Sequence, residues 1–244
     1  MGTEFDDNEI RLRLASLQQS IVEAAARSGR SASEINLLGV TKTVSPERIL
    51  VACKAGLHLF GENYVQEARE KIPAVAKLLA MEHGDGNSAE NYAAKWQCIG
   101  HLQSNKAKYA VDLFSVLETV DNFALAEEIS KQAAKRSRNP TILIEVNISR
   151  NPERAGVLPD QALELAEKVV SLPAVRLEGM MGIAPYSENP EDSRPYFRAL
   201  YELYNQLPQE NRRILSMGMS GDFEIAIEEG ATEVRLGTAL FGRR

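Results

Sequence analysis

The stretch Thr141-Ile-Leu-Ile-Glu-Val-Asn-Ile148 decides the architecture. Its β-branched residues and strict alternation read as a strand. Ile142, Ile144, Val146 and Ile148 fall on one face, and Leu143, Glu145 and Asn147 on the other. The first set is expected to pack beneath helices. The second is expected to point inward, with the polar Glu145 and Asn147 near a C-terminal mouth. Working outward, the same unit recurs. Upstream, Ile35–Lys42, His58–Gly61, Trp96–Gly100 and Leu113–Glu118 read as strands. Helices are expected at Ser45–Gly56, with Ser45 as cap and Pro46 in the first turn, from about Tyr64 to Leu79, and from the Asp121 cap to Lys135. Downstream, Val175–Ile183, Ile214–Met219 and Glu233–Phe241 read as strands, separated by helices at Pro159–Leu172, Pro190–Leu207 and Phe223–Glu229.

Strands that alternate with helices pair in parallel, because each parallel connection needs a crossover. Eight such units in about 210 residues fit a closed (β/α)8 barrel of the TIM type. A doubly wound open sheet is the alternative, which the even spacing and uniform composition disfavour. The 244 residues are thus expected to form one domain, 1–244. Residues 7–28 carry apolar side chains at helical spacing, and Gly29 is a stop signal. This N-terminal helix (1–30) is expected to pack on the barrel where the last strand has no following helix. The polar residues 82–95, with Gly84 and Gly86, read as a surface loop.

Composition narrows the function. Hydrophobic residues at 44% and charged residues at 25% exclude a disordered or collagen-like chain. A net charge of −6 gives no basic footprint for nucleic acid. Cys53 and Cys98 form no Cys-x-x-Cys pair, so neither a metal cluster nor a disulfide framework is expected. There is no apolar run of the ~20 residues that cross a bilayer. Met1–Arg30 lacks a signal-peptide core. A cytoplasmic protein with no membrane partner is the expectation.

The chemistry gathers at the expected mouth. Lys42 continues the inward row Leu38, Val40. A lysine there is either an amine nucleophile or a rim lysine that snorkels to solvent. Arg235 shares its face with Glu233, so it is either paired with Glu233 or Glu145 or aimed at a ligand. Ser216-Met-Gly-Met-Ser-Gly-Asp222 runs straight into a helix, and Gly237-Thr238 adds a second approach of small residues. Barrels frequently bind phosphate with the loops after strands seven and eight. Asn63 and His101 stand beside Lys42. His58 and His83 read as structural, the Lys106/Lys108 pair as a solvated face, and Met180, Met181, Met217 and Met219 as core. An amine, an internal arginine and a phosphate cradle on one mouth suit pyridoxal 5′-phosphate.

The chain resembles the pyridoxal phosphate homeostasis proteins, the YggS/PROSC family to which PipY-like proteins belong. The resemblance rests on Gly39-Val-Thr-Lys42, Phe60-Gly-Glu-Asn-Tyr-Val-Gln-Glu67, Trp96-Gln-Cys-Ile-Gly-His-Leu-Gln-Ser-Asn-Lys106, Leu215-Ser-Met-Gly-Met-Ser220 and Val234-Arg-Leu-Gly-Thr-Ala-Leu-Phe-Gly242. It implies a single barrel like the N-terminal domain of alanine racemase and a Schiff base at Lys42. It also implies Arg235 at the pyridine nitrogen and phosphate contacts from Ser220, Gly237 and Thr238. The expected cofactor-binding set is Lys42, Asn63, Ser216, Ser220, Arg235, Gly237 and Thr238, with no catalytic residue. Gln97 stands where the family often has His. The resemblance implies a carrier, buffer or regulator of the cofactor, without established turnover, that makes transient contacts with enzymes using it. A monomer is expected because no exposed apolar stripe is evident outside the inward faces of the helices. A racemase or decarboxylase is the alternative, disfavoured because racemases of this fold carry an added β-domain for which no strands remain here.

Overall fold

The computed structural model describes residues 3–83 and 94–242. Eight strands alternate with helices in the order α1 Thr3–Arg27, β1 Asn36–Val40, α2 Pro46–Lys54, β2 Leu59–Glu62, α3 Val65–His83, β3 Lys95–Cys98, α4 Ala107–Leu113 and β4 Val116–Val120. They continue as α5 Phe123–Ala134, β5 Thr141–Val146, α6 Pro159–Val170, β6 Arg176–Gly182, α7 Arg194–Tyr204, β7 Ile214–Ser216, α8 Phe223–Glu228, β8 Glu233–Leu236 and α9 Thr238–Phe241. Every strand pair is parallel, and β8 returns to pair with β1, so the sheet closes as β1-β2-β3-β4-β5-β6-β7-β8. The barrel, not the open sheet, is the architecture.

The alternation in β5 divides the core as its parity requires. Ile142, Ile144, Val146 and Ile148 join the large apolar layer between strands and helices. Leu143 packs inside the barrel with Val116 and Met181. β4 carries an irregularity between Leu117 and Val120. Glu118 lies within it and is fully buried.

α1 lays Ile10, Leu14, Leu17, Ile21, Ala24 and Ala25 into that outer layer and packs against α2, α8 and α9. Arg27 at its end donates to Glu228 at 2.6 Å and Glu224 at 2.7 Å of α8. α1 thus lies in the outer ring of helices between α8 and α2, where the last strand is expected to lack a covering helix, with one addition. β8 stops at Leu236, and Thr238–Phe241 forms a short helix capped by Gly237.

Other boundaries differ for local reasons. Asn122, not Asp121, caps α5, because its side chain accepts the Leu125 N–H at 2.9 Å. α4 was not expected; its seven residues span two turns and show little periodicity. α3 runs on to His83, so Glu82 and His83 are helical, while Lys95 belongs to β3. Of the expected 82–95 loop, residues 84–93 lie outside the described residues. Met219 is 41% exposed in the loop after β7, whereas Met180, Met181 and Met217 are buried.

Candidate functional site

β1 ends at Val40, which pairs with Gly61 of β2, and Gly39 pairs with Leu236 of β8. Lys42 therefore emerges at the C-terminal ends of the strands, between Asn63 beyond β2 and Gly237 beyond β8. It is half-buried. Val44 N–H donates to Thr41 O at 2.9 Å, closing a four-residue turn with Lys42 and Thr43 at its centre. The expected extension of β1 through Lys42 is thus a turn, which lifts the lysine off the sheet at the rim.

The loop after β7 meets the loop after β8. Ser220 Oγ accepts the Ala239 N–H at 3.3 Å, and the Gly218 carbonyl accepts the Arg235 N–H at 3.0 Å. Gly218 has φ +91°, and a Cβ there would lie 2.5 Å from Cβ of Ala226, so only glycine lets this loop rest on α8. Asp222 precedes α8, and its carboxylate accepts the Met219 N–H at 2.6 Å. Gly237 lies beside Val40 of β1, with room for a Cβ at 3.4 Å. Thr238 is exposed. Thus β7, β8, β1 and β2, four adjacent strands, bring Ser220, Gly237, Thr238, Lys42 and Asn63 to one side of the mouth.

Arg235 lies beneath them and is 4% exposed. Its guanidinium donates to Ser216 Oγ at 2.6 Å and to the Gly182 carbonyl at 3.0 Å. Ser216 Oγ in turn donates to Glu118 Oε2 at 2.6 Å, which lies 3.7 Å from Arg235. Glu118 is thus the ionic partner, in place of the expected Glu233 or Glu145. Glu233 instead accepts a hydrogen bond from Gln97 Nε2 at 2.9 Å. The Ser216 hydroxyl, fully buried, serves the arginine and the carboxylate together.

Burial shifts the carboxyl groups of this interior upward. Burial raises Glu118, and burial together with the charge of Glu118 pushes Glu233 up to about 8. Burial, then the charge of Asp121, pushes Glu145 up to about 7. Burial likewise pushes both thiols, Cys53 and Cys98, up to about 12. Both thiols are buried and free.

The other side of the mouth is a cleft of about 380 Å³ lined by Asn63, His101, Glu145, Asn147 and Arg154, among others. Gly100 makes its wall possible, since a Cβ there would fall 2.2 Å from the Asn63 carbonyl oxygen. Asn63 Oδ1 and Glu145 Oε2 are buried there without a hydrogen-bond partner. Asn147 is spent on its own loop, its amide donating to Asn151 O at 2.7 Å and Arg154 O at 3.2 Å.

Two buried charged groups beside the mouth are not evident from the sequence. Glu118 had a usable signal, because it shares the inward parity of Val116 in β4. Lys71 had none: a lysine on a helix reads as solvated, yet it is 6% exposed and bonded to Glu62 and Glu67.

Comparison with known proteins gives a consistent result. Residues 13–244 match the family model of the alanine racemase N-terminal domain. The pyridoxal phosphate homeostasis protein of Aquifex aeolicus is 44% identical over 235 residues, covering 95% of this chain and 97% of that one. The structure of PipY from Synechococcus elongatus with PLP bound superposes with a TM-score of 0.75 at 34% identity, covering 96% of this chain and 100% of that one. An alanine racemase of Clostridium difficile in complex with cycloserine shares the fold, with a TM-score of 0.74 at 14% identity, over 97% of this chain and 60% of its own.

Proposed function

The chain belongs to the alanine racemase N-terminal domain family and, within it, to the pyridoxal phosphate homeostasis proteins; from that premise we propose that it binds pyridoxal 5′-phosphate at the barrel mouth and carries or buffers it without turning over a substrate. The observation that carries this reading is the pairing of Leu38 with Arg235. It sets the Lys42 turn and a buried guanidinium on adjacent strands, beside two stitched loops of small residues.

The residues fit the group. Bound pyridoxal phosphate supplies an aldehyde that condenses reversibly with an amine. Lys42 offers that amine from a half-buried position. Ser220, Gly237 and Thr238 offer a hydroxyl, a small backbone approach and a second hydroxyl to the phosphate. Asn63 adds an unpartnered side-chain oxygen at the rim. Arg235 addresses the pyridine nitrogen as a donor only, because a guanidinium keeps its proton. It would leave the ring nitrogen unprotonated and the ring a poor sink for electrons. Ser216 and Glu118 keep that guanidinium in place. The two free, buried thiols accord with a reducing cytoplasm.

The test is borohydride reduction of the holoprotein followed by peptide mapping. The adduct is expected on Lys42, and Lys42→Ala is expected to abolish both the adduct and the near-visible absorbance. A reduced adduct on another lysine rejects the assignment. Chiral analysis after incubation with single-enantiomer amino acids tests the absence of turnover. A rate of about 1 s⁻¹ or more, within the enzyme range, that disappears in Lys42→Ala would establish a racemase-like enzyme instead.

A further inference from the structure

A second lysine stands at this corner of the barrel. Lys71 of α3 is 6% exposed. Its ammonium donates to Thr41 O at 2.6 Å, Glu62 Oε1 at 2.7 Å and Glu67 Oε1 at 2.6 Å. These bonds use all three of its protons. The acceptors are themselves tied to the residues that flank Lys42. Glu62 Oε1 accepts from the Thr41 hydroxyl at 2.6 Å, and Glu67 Oε1 accepts from the Thr43 N–H at 2.6 Å. One buried cluster therefore grips the backbone on both sides of Lys42.

What it grips is strained. Thr43 has φ +60°, whereas Lys42 is not among the residues with positive φ. With the Val44-to-Thr41 hydrogen bond, these signs are those of a type II turn, whose third position takes Gly or Asn. A β-branched residue there is an outlier. Such conformations persist only where the surroundings over-determine them, and they collect at functional sites.

We propose that Lys71, with Glu62 and Glu67, is a positioning device for Lys42. The cluster holds the Thr41–Val44 turn in its strained form and so fixes where the Lys42 side chain leaves the backbone at the mouth. This rests on Lys42 being the residue that takes the cofactor. Lys71 acts through the turn: its ammonium is fully committed and does not react.

Four variants test this: Lys71→Met, Glu67→Ala, and each combined with Thr43→Gly. Amide hydrogen exchange is read at Thr43 in the cofactor-free chain, and the rate of reducible adduct formation at Lys42 is read on adding pyridoxal phosphate. Both single variants are expected to exchange the Thr43 amide about tenfold faster and to form the adduct about tenfold more slowly, as release of one strained residue implies. Thr43→Gly, which accepts a positive φ without strain, is expected to restore the adduct rate in either background. Lys71→Met leaves Glu62 buried without its cation and is a folding risk; Glu67→Ala changes a side chain that is 26% exposed and tests the same grip in a folded protein. Unchanged exchange and adduct rates in Glu67→Ala overturn the proposal, as does failure of Thr43→Gly to restore the rate. A wild-type chain that forms its adduct elsewhere defeats the reading of Lys42, whereas the exchange measurement still reports on the clamp.

Discussion

Glu145 stands at the rim of the barrel with Asp121, Glu118 and Arg235 acting on it. Burial moves its carboxyl from an ordinary value of 4.5 to about 7. Below 4.5 the group is protonated whether the chain is folded or not, so folding loses nothing there. Between 4.5 and 7 the unfolded chain releases this proton and the folded one retains it, so stability falls as pH rises. The shift corresponds to on the order of 3 kcal/mol, complete above about pH 7. Glu145→Gln, neutral throughout, is expected to flatten this part of the decline in thermal melts between pH 5 and 7. An unchanged slope would count against a buried, unpartnered Glu145. Arg235 meets a different requirement. Removing it would leave Glu118 buried without its cation, a loss of about 3–5 kcal/mol for a broken buried pair. That is why the guanidinium, the Ser216 hydroxyl and Glu118 form one unit.

At the scale of elements, α1 docks into the outer ring of helices through one stripe. Leu14 is 1% exposed within that stripe, whereas Leu12 on the same helix is 63% exposed. Leu14→Ala is expected to cost about 2–5 kcal/mol and to lower the thermal midpoint by roughly 5–15 °C. Leu12→Ala is expected to leave the midpoint nearly unchanged. Equal shifts in the two variants would show that α1 does not dock through this stripe. The same elements explain what could be read in advance. The alternation of Thr141–Ile148 and the apolar spacing of residues 7–28 announce their buried faces, because period and burial share one cause. Short elements lack that advantage. Ala107–Leu113 is too brief to display a period, and Thr238–Phe241 spells residues that suit a strand as well as a helix. Lys71, Glu118 and Glu62 take their roles from partners on other elements. No local pattern encodes such a meeting, so that half of the site emerges only when the barrel is closed.

For the molecule as a whole, the exposed large apolar side chains among the described residues are spread along the chain. Leu12 on α1, Tyr64 before α3, Leu158 and Val170 at opposite ends of α6, and Tyr186 after β6 come from separate parts of the chain. Scattered exposure of this kind is ordinary for a soluble monomer. With a net charge of −6 it predicts a monomer in solution. Light scattering at micromolar concentration is expected to give 26.9 kDa, and twice that mass would refute the expectation. The pairing of β1 with β8 has a further consequence in time. Lys42 leaves the ribosome early, but Arg235, Gly237 and Thr238 are made almost two hundred residues later, on the strand that seals the ring. A growing chain owns the amine long before it owns the rest of the mouth. With the site proposed above, cofactor capture waits until β8 has been made and paired with β1, and a chain stalled before that strand offers only an ordinary lysine.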